Sequence, residues 1–262
     1  MHPLLTFRQG YQSYLILYSA NCESPACRYH GLSGLFFFVG GVLLIKAVLF
    51  DLDGTLVNSL CDLADAANYA LGTQGYPTHE TNKYKYFVGD GMKKLIERIL
   101  PQDERSEASV NKVLDIFLGY YGEHYTDKTT VYKGIIPLLD ALKSQNIKLA
   151  VITNKADNMA QMVVKKLLDG YFDIVLGKRD GFATKPNPES TLLVMRELGV
   201  TPSECIFIGD SGMDTATAVN CGAVPVGALW GFRTKDELLQ NGAQYTIDNP
   251  LSLLDIIRDE NA

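Results

Sequence analysis

Residues 47–55 read Ala-Val-Leu-Phe-Asp-Leu-Asp-Gly-Thr. The four apolar residues that open this stretch are typical of a short strand buried on both faces of a parallel sheet. In an open parallel sheet, ligands bind beyond the carboxyl ends of the strands. The carboxylates of Asp51 and Asp53 leave the strand at that end, and two buried carboxylates require a cation or another charged partner. The stretch therefore predicts a parallel sheet with a ligand site at its edge.

Apolar runs of the same kind recur along the chain, at residues 148–152, 205–208 and 224–228. Helical patterns accompany them, at residues 136–142, 159–167, 188–198 and 214–221. Strands that alternate with helices form βαβ units. We therefore predict an α/β fold with a doubly wound, mostly parallel, Rossmann-like sheet.

The region from residue 59 to residue 130 interrupts this alternation, because only helical signals occur there. The signals lie at residues 59–72, 80–86, 91–100 and 107–125. We interpret residues 59–130 as an all-helical cap that is inserted directly after the first strand of the core. Residues 44–58 and 131–262 then form the α/β core.

The composition of the 262-residue chain is that of a globular protein, with 47% hydrophobic and 21% charged residues. Its net charge of −6 argues against a nucleic-acid partner, because phosphate backbones are bound by basic surfaces. The five cysteines form no CxxC pair and no zinc-binding pattern. Free thiols fit a reducing compartment, so we expect a cytoplasmic protein.

The beginning of the chain does not fit the α/β pattern. Residues 32–45 form an uncharged, largely apolar run that is shorter than the about 20 residues needed to span a membrane. Three interpretations remain open: a mis-assigned translation start, a membrane-associating or targeting segment, and an ordered structural extension. We expect residues 1–43 to be an N-terminal extension that is non-native or disordered, and we expect no membrane partner.

Two polar clusters offer phosphate ligands. Thr153 and Asn154 follow the strand at 148–152, where a hydroxyl and backbone N–H groups can bind phosphate oxygens, although these residue types also cap helices. Lys185 precedes Pro186, and a rigidly held lysine can act as a point charge for phosphate. A solvated surface lysine is the alternative.

A last cluster carries two more carboxylates after the strand at 205–208. Asp210 and Asp214 stand four residues apart at a strand-to-helix turn. Oxygen ligands of this kind suit Mg²⁺, which proteins hold with few carboxylates. A helix-capping aspartate beside a surface aspartate is the alternative.

In chain order the clusters are Asp-x-Asp, Thr, Lys and Gly-Asp-x-x-x-Asp. Together with Val-Gly-Asp-Gly at 88–91 and Trp-Gly-Phe-Arg at 230–233, they give the sequence its resemblance to the haloacid dehalogenase (HAD) superfamily. Within that superfamily it resembles the phosphoglycolate phosphatase group. The resemblance covers about residues 44–258 and implies a phosphoric monoester hydrolase with a capped core.

The resemblance also implies a role for each clustered residue. Asp51 would be the nucleophile that forms an aspartyl-phosphate, and Asp53 the general acid and base. Mg²⁺ would be the cofactor, bound by Asp51, the backbone carbonyl of Asp53 and Asp210. Asp214 would orient a metal-bound water or Lys185. The transferred phosphoryl group would be held by Thr153, Asn154 and Lys185.

The resemblance favours a small phosphorylated metabolite as the substrate, and 2-phosphoglycolate in particular. We expect the protein to be a monomer or a homodimer. We expect specificity to arise in the cap, at a glycine-flanked helix start where Gly91, Lys93 and Lys94 could bind a carboxylate. Both lysines could equally solvate an exposed helix.

Other activities of the superfamily remain open. They are those of a sugar-phosphate phosphatase or mutase, a pyrophosphatase, a nucleotidase, and a phosphonate hydrolase with a lysine in the cap. Asp53 argues against a carbon–halogen dehalogenase, which lacks the second aspartate. A non-catalytic HAD-like binding protein is the alternative from a different class.

Overall fold

The computed structural model describes residues 44–262, and a six-stranded sheet lies at its centre. The strands of this region are β1 (Ala47–Phe50), β2 (Val57–Asn58), β3 (Thr130–Val131), β4 (Lys148–Ala156), β5 (Ile174–Lys178), β6 (Cys205–Gly209), β7 (Val224–Ala228) and β8 (Tyr245–Ile247). The central sheet is parallel throughout and has the strand order β5-β4-β1-β6-β7-β8. Ala47 of β1 stands opposite Lys148 of β4 on one side and Cys205 of β6 on the other.

Helices cover both faces of the sheet. The helices of the described region are α1 (Leu60–Thr73), α2 (Met92–Ile99), α3 (Glu107–His124), α4 (Ile135–Ser144), α5 (Asp157–Leu167), α6 (Glu189–Leu198), α7 (Gly212–Cys221), α8 (Lys235–Gln240) and α9 (Leu253–Glu260). Val48 and Phe50 of β1 pack in the layer formed by α4, α5 and α9, whereas Ala47 and Leu49 pack in the layer of α6 and α7. Burial on both sides explains why β1 is apolar at every position. The predicted α/β, doubly wound fold is confirmed.

The helical insert is also confirmed. Between β2 and β3 the chain forms α1, a short 3₁₀ helix at Thr81–Tyr86, α2 and α3. These helices pack around an apolar core of their own, which includes Leu63, Ile96 and Phe117. β2 and β3 form an antiparallel ribbon through which the chain leaves the α/β core and returns to it. The domain limits at residues 59 and 130 stay a prediction.

Two strands of the sheet were not predicted. β5 and β8 lie at its two edges, and most of their side chains are only partly buried. β8 is only three residues long and has Thr246 at its centre, and the apolar run of β5 is only the three residues 174–176 before Gly177 and Lys178, so both signals are shorter than those of the central strands. Within residues 44–262, none of the helices combines the length and apolar character that crossing a bilayer requires. The prediction for residues 1–43 concerns a segment outside the described residues.

Candidate active site

The four polar clusters meet at the carboxyl edge of the sheet. β1 ends directly before Asp51, β4 carries Thr153 and Asn154, and β6 ends directly before Asp210. The loop that precedes α6 brings Lys185 to the same place, because its ammonium group contacts Asp51. Parallel strands have their carboxyl ends at the same edge of the sheet. Clusters that are far apart in the sequence therefore form one site.

Lys185 bridges two carboxylates at the centre of this site. Its Nζ donates to Asp51 Oδ1 at 2.7 Å and to Asp214 Oδ1 at 2.6 Å. Burial opposes the charge, but Asp214 and Asp51 hold the pKa of Lys185 above its usual range. Since Lys185 is buried, it is not a solvated surface lysine.

Asp214 has two functions in the fold. Its Oδ2 accepts hydrogen bonds from the backbone N–H and the hydroxyl of Ser211, at 3.0 and 2.6 Å, in a capping box at the start of α7. Its Oδ1 accepts from Lys185. Asp214 is therefore a helix-capping aspartate, as the alternative interpretation predicted, and it also contacts Lys185.

Asp210 is fixed in one orientation. Its Oδ1 accepts from the Thr55 hydroxyl at 3.2 Å and its Oδ2 from the Phe232 backbone N–H at 2.7 Å. Gly54 and Gly231 lie against this carboxylate so closely that a Cβ atom at either position would overlap it. Glycine is therefore required at both positions, because the backbone approaches the carboxylate directly.

Asp51, Asp210 and Asp214 form a buried cluster, in which each offers an oxygen within 4.8 Å of the others. Burial raises the pKa of Asp51 to about 6, against the opposing effect of Lys185. Burial, and then the charges of Asp214 and Asp51, raise the pKa of Asp210 well above its usual range. A hard divalent cation would relieve this repulsion, and carboxylate oxygens are its preferred ligands. The cluster therefore fits a metal ion.

Asp53 is held by two side chains. The Ser59 hydroxyl donates to its Oδ1 at 2.5 Å. The Lys155 ammonium donates to Oδ1 at 3.1 Å and to Oδ2 at 3.0 Å. Both oxygens of the carboxylate thus accept hydrogen bonds from fixed donors.

Thr153 and Asn154 lie at the site and do not cap a helix, because α5 begins at Asp157 with Ala156 as its N-cap. The Asn154 side chain donates to the carbonyl of Lys185 at 3.3 Å and accepts from its N–H at 3.0 Å. Asn154 therefore ties β4 to the loop that carries the lysine. Thr153 is buried and lines the cleft described next.

A cleft separates the sheet edge from the cap. Its core wall consists of Asp51, Asp53, Thr153, Asn154 and Lys155, and its cap wall of Leu63, Val88, Gly89, Gly91, Met92 and Leu95. Lys93 and Lys94 lie outside the cleft with about half of each side chain exposed, and they pair with Glu107 at 3.6 Å and Glu97 at 2.6 Å. Of the predicted cap residues, the structure brings Gly91 to the aspartates but not the two lysines.

Residues 48–228 match the family model described as haloacid dehalogenase-like hydrolase. The chain belongs to the HAD-like hydrolases. It is 34% identical to a phosphoglycolate phosphatase of Chromobacterium violaceum, over 82% of this chain and 97% of the relative. It is 29% identical to a phosphoglycolate phosphatase of Aquifex aeolicus, over 81% and 97%. The solved structure of a predicted phosphoglycolate phosphatase from Haemophilus somnus superposes with a TM-score of 0.76 at 30% identity, covering 83% of this chain and 99% of that one.

Three residues of this HAD-like hydrolase escaped the sequence analysis. Lys155 directly follows Thr153 and Asn154 in the sequence, but nothing in that order of residues indicates that it contacts Asp53. Ser59 carried no signal beyond its place after the first strand. The hydroxyl of Tyr121 accepts a hydrogen bond from Lys155 at 2.8 Å. Tyr121 lies in a helical pattern, where an aromatic residue indicates only a place in the hydrophobic core.

Proposed function

We propose that this HAD-like hydrolase is an Mg²⁺-dependent phosphatase that hydrolyses 2-phosphoglycolate through an aspartyl-phosphate on Asp51. The observation that carries the proposal is the bridge from Lys185 to Asp51 and Asp214, next to Asp210. A phosphate dianion approaches a carboxylate nucleophile only where positive charge offsets the repulsion. Lys185 and a metal ion would supply that charge.

In the first half of the reaction, a carboxylate oxygen of Asp51 attacks phosphorus and the bond from phosphorus to the leaving oxygen breaks. Asp53 donates its proton to that oxygen, so that the product leaves as an alcohol. The donors that hold the phosphoryl oxygens would be the Thr153 hydroxyl, the Asn154 backbone N–H and the Lys185 ammonium.

In the second half, water attacks the phosphorus atom of the aspartyl-phosphate. Asp53 accepts a proton from this water, and the bond from phosphorus to the Asp51 oxygen breaks. Inorganic phosphate leaves, and both aspartates return to their starting forms. Asp53 thus acts as a general acid in the first half and as a general base in the second.

The residues that would hold Mg²⁺ are Asp51 and Asp210, with the backbone carbonyl of Asp53. When bound, the ion neutralises charge that the carboxylates and the phosphate would otherwise set against each other. Asp214 contributes through Lys185 and Ser211, which it contacts directly.

Two observations support 2-phosphoglycolate as the substrate. Relatives of about 30% identity bear the name phosphoglycolate phosphatase. The start of α2 also borders the cleft at Gly91 and Met92, and free N–H groups at a helix start favour a carboxylate. A counter-charge from Lys93 or Lys94 stays a prediction, as do a cytoplasmic location and a monomeric or homodimeric state.

A substrate panel tests this function. We expect 2-phosphoglycolate to give the highest kcat/KM among small phosphomonoesters, nucleotides and pyrophosphate. Activity should disappear in excess chelator and return with Mg²⁺, and Asp51→Asn should abolish it. Equal or higher kcat/KM on a sugar phosphate or pyrophosphate would reject the substrate but not the phosphatase. Full activity in chelator would reject the metal.

A further inference from the structure

Lys155 carries a buried charge that the reaction described above does not use. Its side chain has an exposed fraction of 0%. A charge in such a place requires partners, because burying it unpaired is costly. The Nζ atom donates to both oxygens of Asp53, at 3.1 and 3.0 Å, and to the hydroxyl of Tyr121 at 2.8 Å.

These partners belong to different parts of the molecule. Asp53 follows β1 in the α/β core, whereas Tyr121 lies in α3 of the cap. Tyr121 is fully buried and its ring stacks on that of Phe117, with the centroids 5.4 Å apart. Lys155 Nζ also lies 4.9 Å from the centroid of the Tyr121 ring, a cation–π contact. The cap helix therefore fixes the ammonium group that fixes Asp53.

The arrangement suits one half of the reaction more than the other. Lys155 and Ser59 together donate to both oxygens of Asp53. A carboxylate offers about four lone-pair positions, so these three hydrogen bonds fix its orientation and leave one position on Oδ2 that can accept a proton from an attacking water.

We propose that Lys155 is a positioning residue that orients Asp53 for hydrolysis of the aspartyl-phosphate, and that Tyr121 makes this orientation depend on the packing of α3. The inference rests on the proposed phosphatase function. It adds a role for a core lysine and a cap tyrosine that act through Asp53.

Pre-steady-state kinetics with 4-nitrophenyl phosphate separate the two halves. Nitrophenolate leaves without a proton, so the first half proceeds without Asp53 whereas hydrolysis needs it. Lys155→Met should release about one nitrophenolate per site at the wild-type rate and then turn over roughly a hundredfold more slowly. Tyr121→Phe should show the same burst with a loss of about fivefold, the equivalent of one hydrogen bond. Mass spectrometry after acid quenching should show phosphorylated protein in both variants.

Two further variants serve as controls. Lys155→Arg keeps the donors and should recover part of the lost rate. Tyr84→Phe removes the hydroxyl of another fully buried cap tyrosine, which donates to Asn68 Oδ1 at 2.7 Å. Tyr84→Phe should match the wild type both in turnover and in the amplitude of nitrophenolate release.

Slower turnover without a burst in Lys155→Met and Tyr121→Phe would overturn the positioning role, and so would unchanged turnover. Should Lys155→Met fail to fold, Tyr121→Phe carries the test, because it keeps the ring and removes only the hydroxyl. A wild-type protein that releases no phosphate would instead overturn the phosphatase function itself.

Discussion

Asp51 must be ionised to act as a nucleophile, yet its surroundings favour the neutral acid. Burial raises its pKa to about 6, and Lys185 offsets only part of that rise. A folded-state pKa above the ordinary value means that the folded protein binds this proton more tightly than the unfolded chain does. Asp51 therefore adds stability to the metal-free fold at low pH, and this stability is lost as pH rises through about 6.

Thermal unfolding in excess chelator should reveal this component. Asp51→Asn removes the titrating group and keeps the shape, so its Tm should exceed that of the wild type more at about pH 7 than at about pH 5. Comparing the two proteins cancels the contributions of carboxyl groups that lie far from Asp51. A Tm difference that does not change with pH would contradict a raised pKa for Asp51.

Substitution of Asp210 should change the thermal stability of the protein and its response to Mg²⁺, as well as the activity. Burial beside Asp214 and Asp51 disfavours its charge, so Asp210→Asn should raise the Tm of the protein in chelator. Added Mg²⁺ should raise the Tm of the wild type, because a ligand that binds only the folded state stabilises it, and this gain should shrink in Asp210→Asn. Asp180→Asn, at an exposed position, is the matched control and should change neither Tm. If Mg²⁺ raised the Tm of Asp210→Asn as much as that of the wild type, Asp210 would not be a ligand of the metal.

The site residues differ in how far sequence could reveal them. Asp51 and Asp210 were accessible because each directly follows a continuous apolar strand, and parallel strands bring their ends together. Lys155 and Tyr121 were not, because their significance lies in a contact between β4 and α3 that no local pattern encodes. Lys93 and Lys94 were proposed from their place at a helix start, whereas the direction of their side chains depends on how α2 packs.

The cap returns to the core through a segment that α1 holds in place. Asp62 of α1 is buried and accepts from the backbone N–H groups of Lys128 and Thr129, at 2.9 and 2.8 Å, and from the Thr129 hydroxyl at 2.6 Å. Both donor residues directly precede β3. One carboxylate therefore fixes the end of the insert relative to its first helix.

Asp62→Ala should destabilise the protein by about 3 kcal/mol, because buried donors would lose their acceptor. Urea unfolding measures this loss. Asp65→Ala is the control on the same helix, since Asp65 forms an exposed ion pair with Lys128 at 2.6 Å and exposed pairs contribute little. Equal losses in the two variants would show that the hydrogen bonds of Asp62 are not what holds the segment.

Elements were predictable in proportion to their burial. β1 and β6 are buried at every residue and follow directly from their apolar runs. The edge strands β5 and β8 do not, because their apolar signals are short: β8 is three residues long with Thr246 at its centre, and β5 has only three apolar residues before Gly177 and Lys178. The cap helices were visible from their apolar periodicity, which their own core requires.

At the scale of the whole molecule, we expect a chain that begins at Leu43 to fold and to keep full turnover. The two residues before β1 are fixed by hydrogen bonds to residues downstream in the chain. The Ile45 N–H donates to Asn261 Oδ1 at 2.7 Å, and the Lys46 N–H donates to the Glu204 carbonyl at 2.8 Å. Circular dichroism and steady-state kinetics on the shortened chain test this. Loss of the fold would show that residues 1–42 contribute to it.

The central position of β1 has a consequence for synthesis on the ribosome. β1 is the first strand of the sheet to be made, but its neighbours begin at Lys148 and Cys205. At cellular translation rates Cys205 follows on the order of ten seconds later. The cap helices can pack during that interval because their contacts are local in sequence. Until β4 and β6 have been made, β1 lacks both of its neighbours in the described sheet, and unpaired apolar strands of this kind are what makes a nascent chain prone to aggregation.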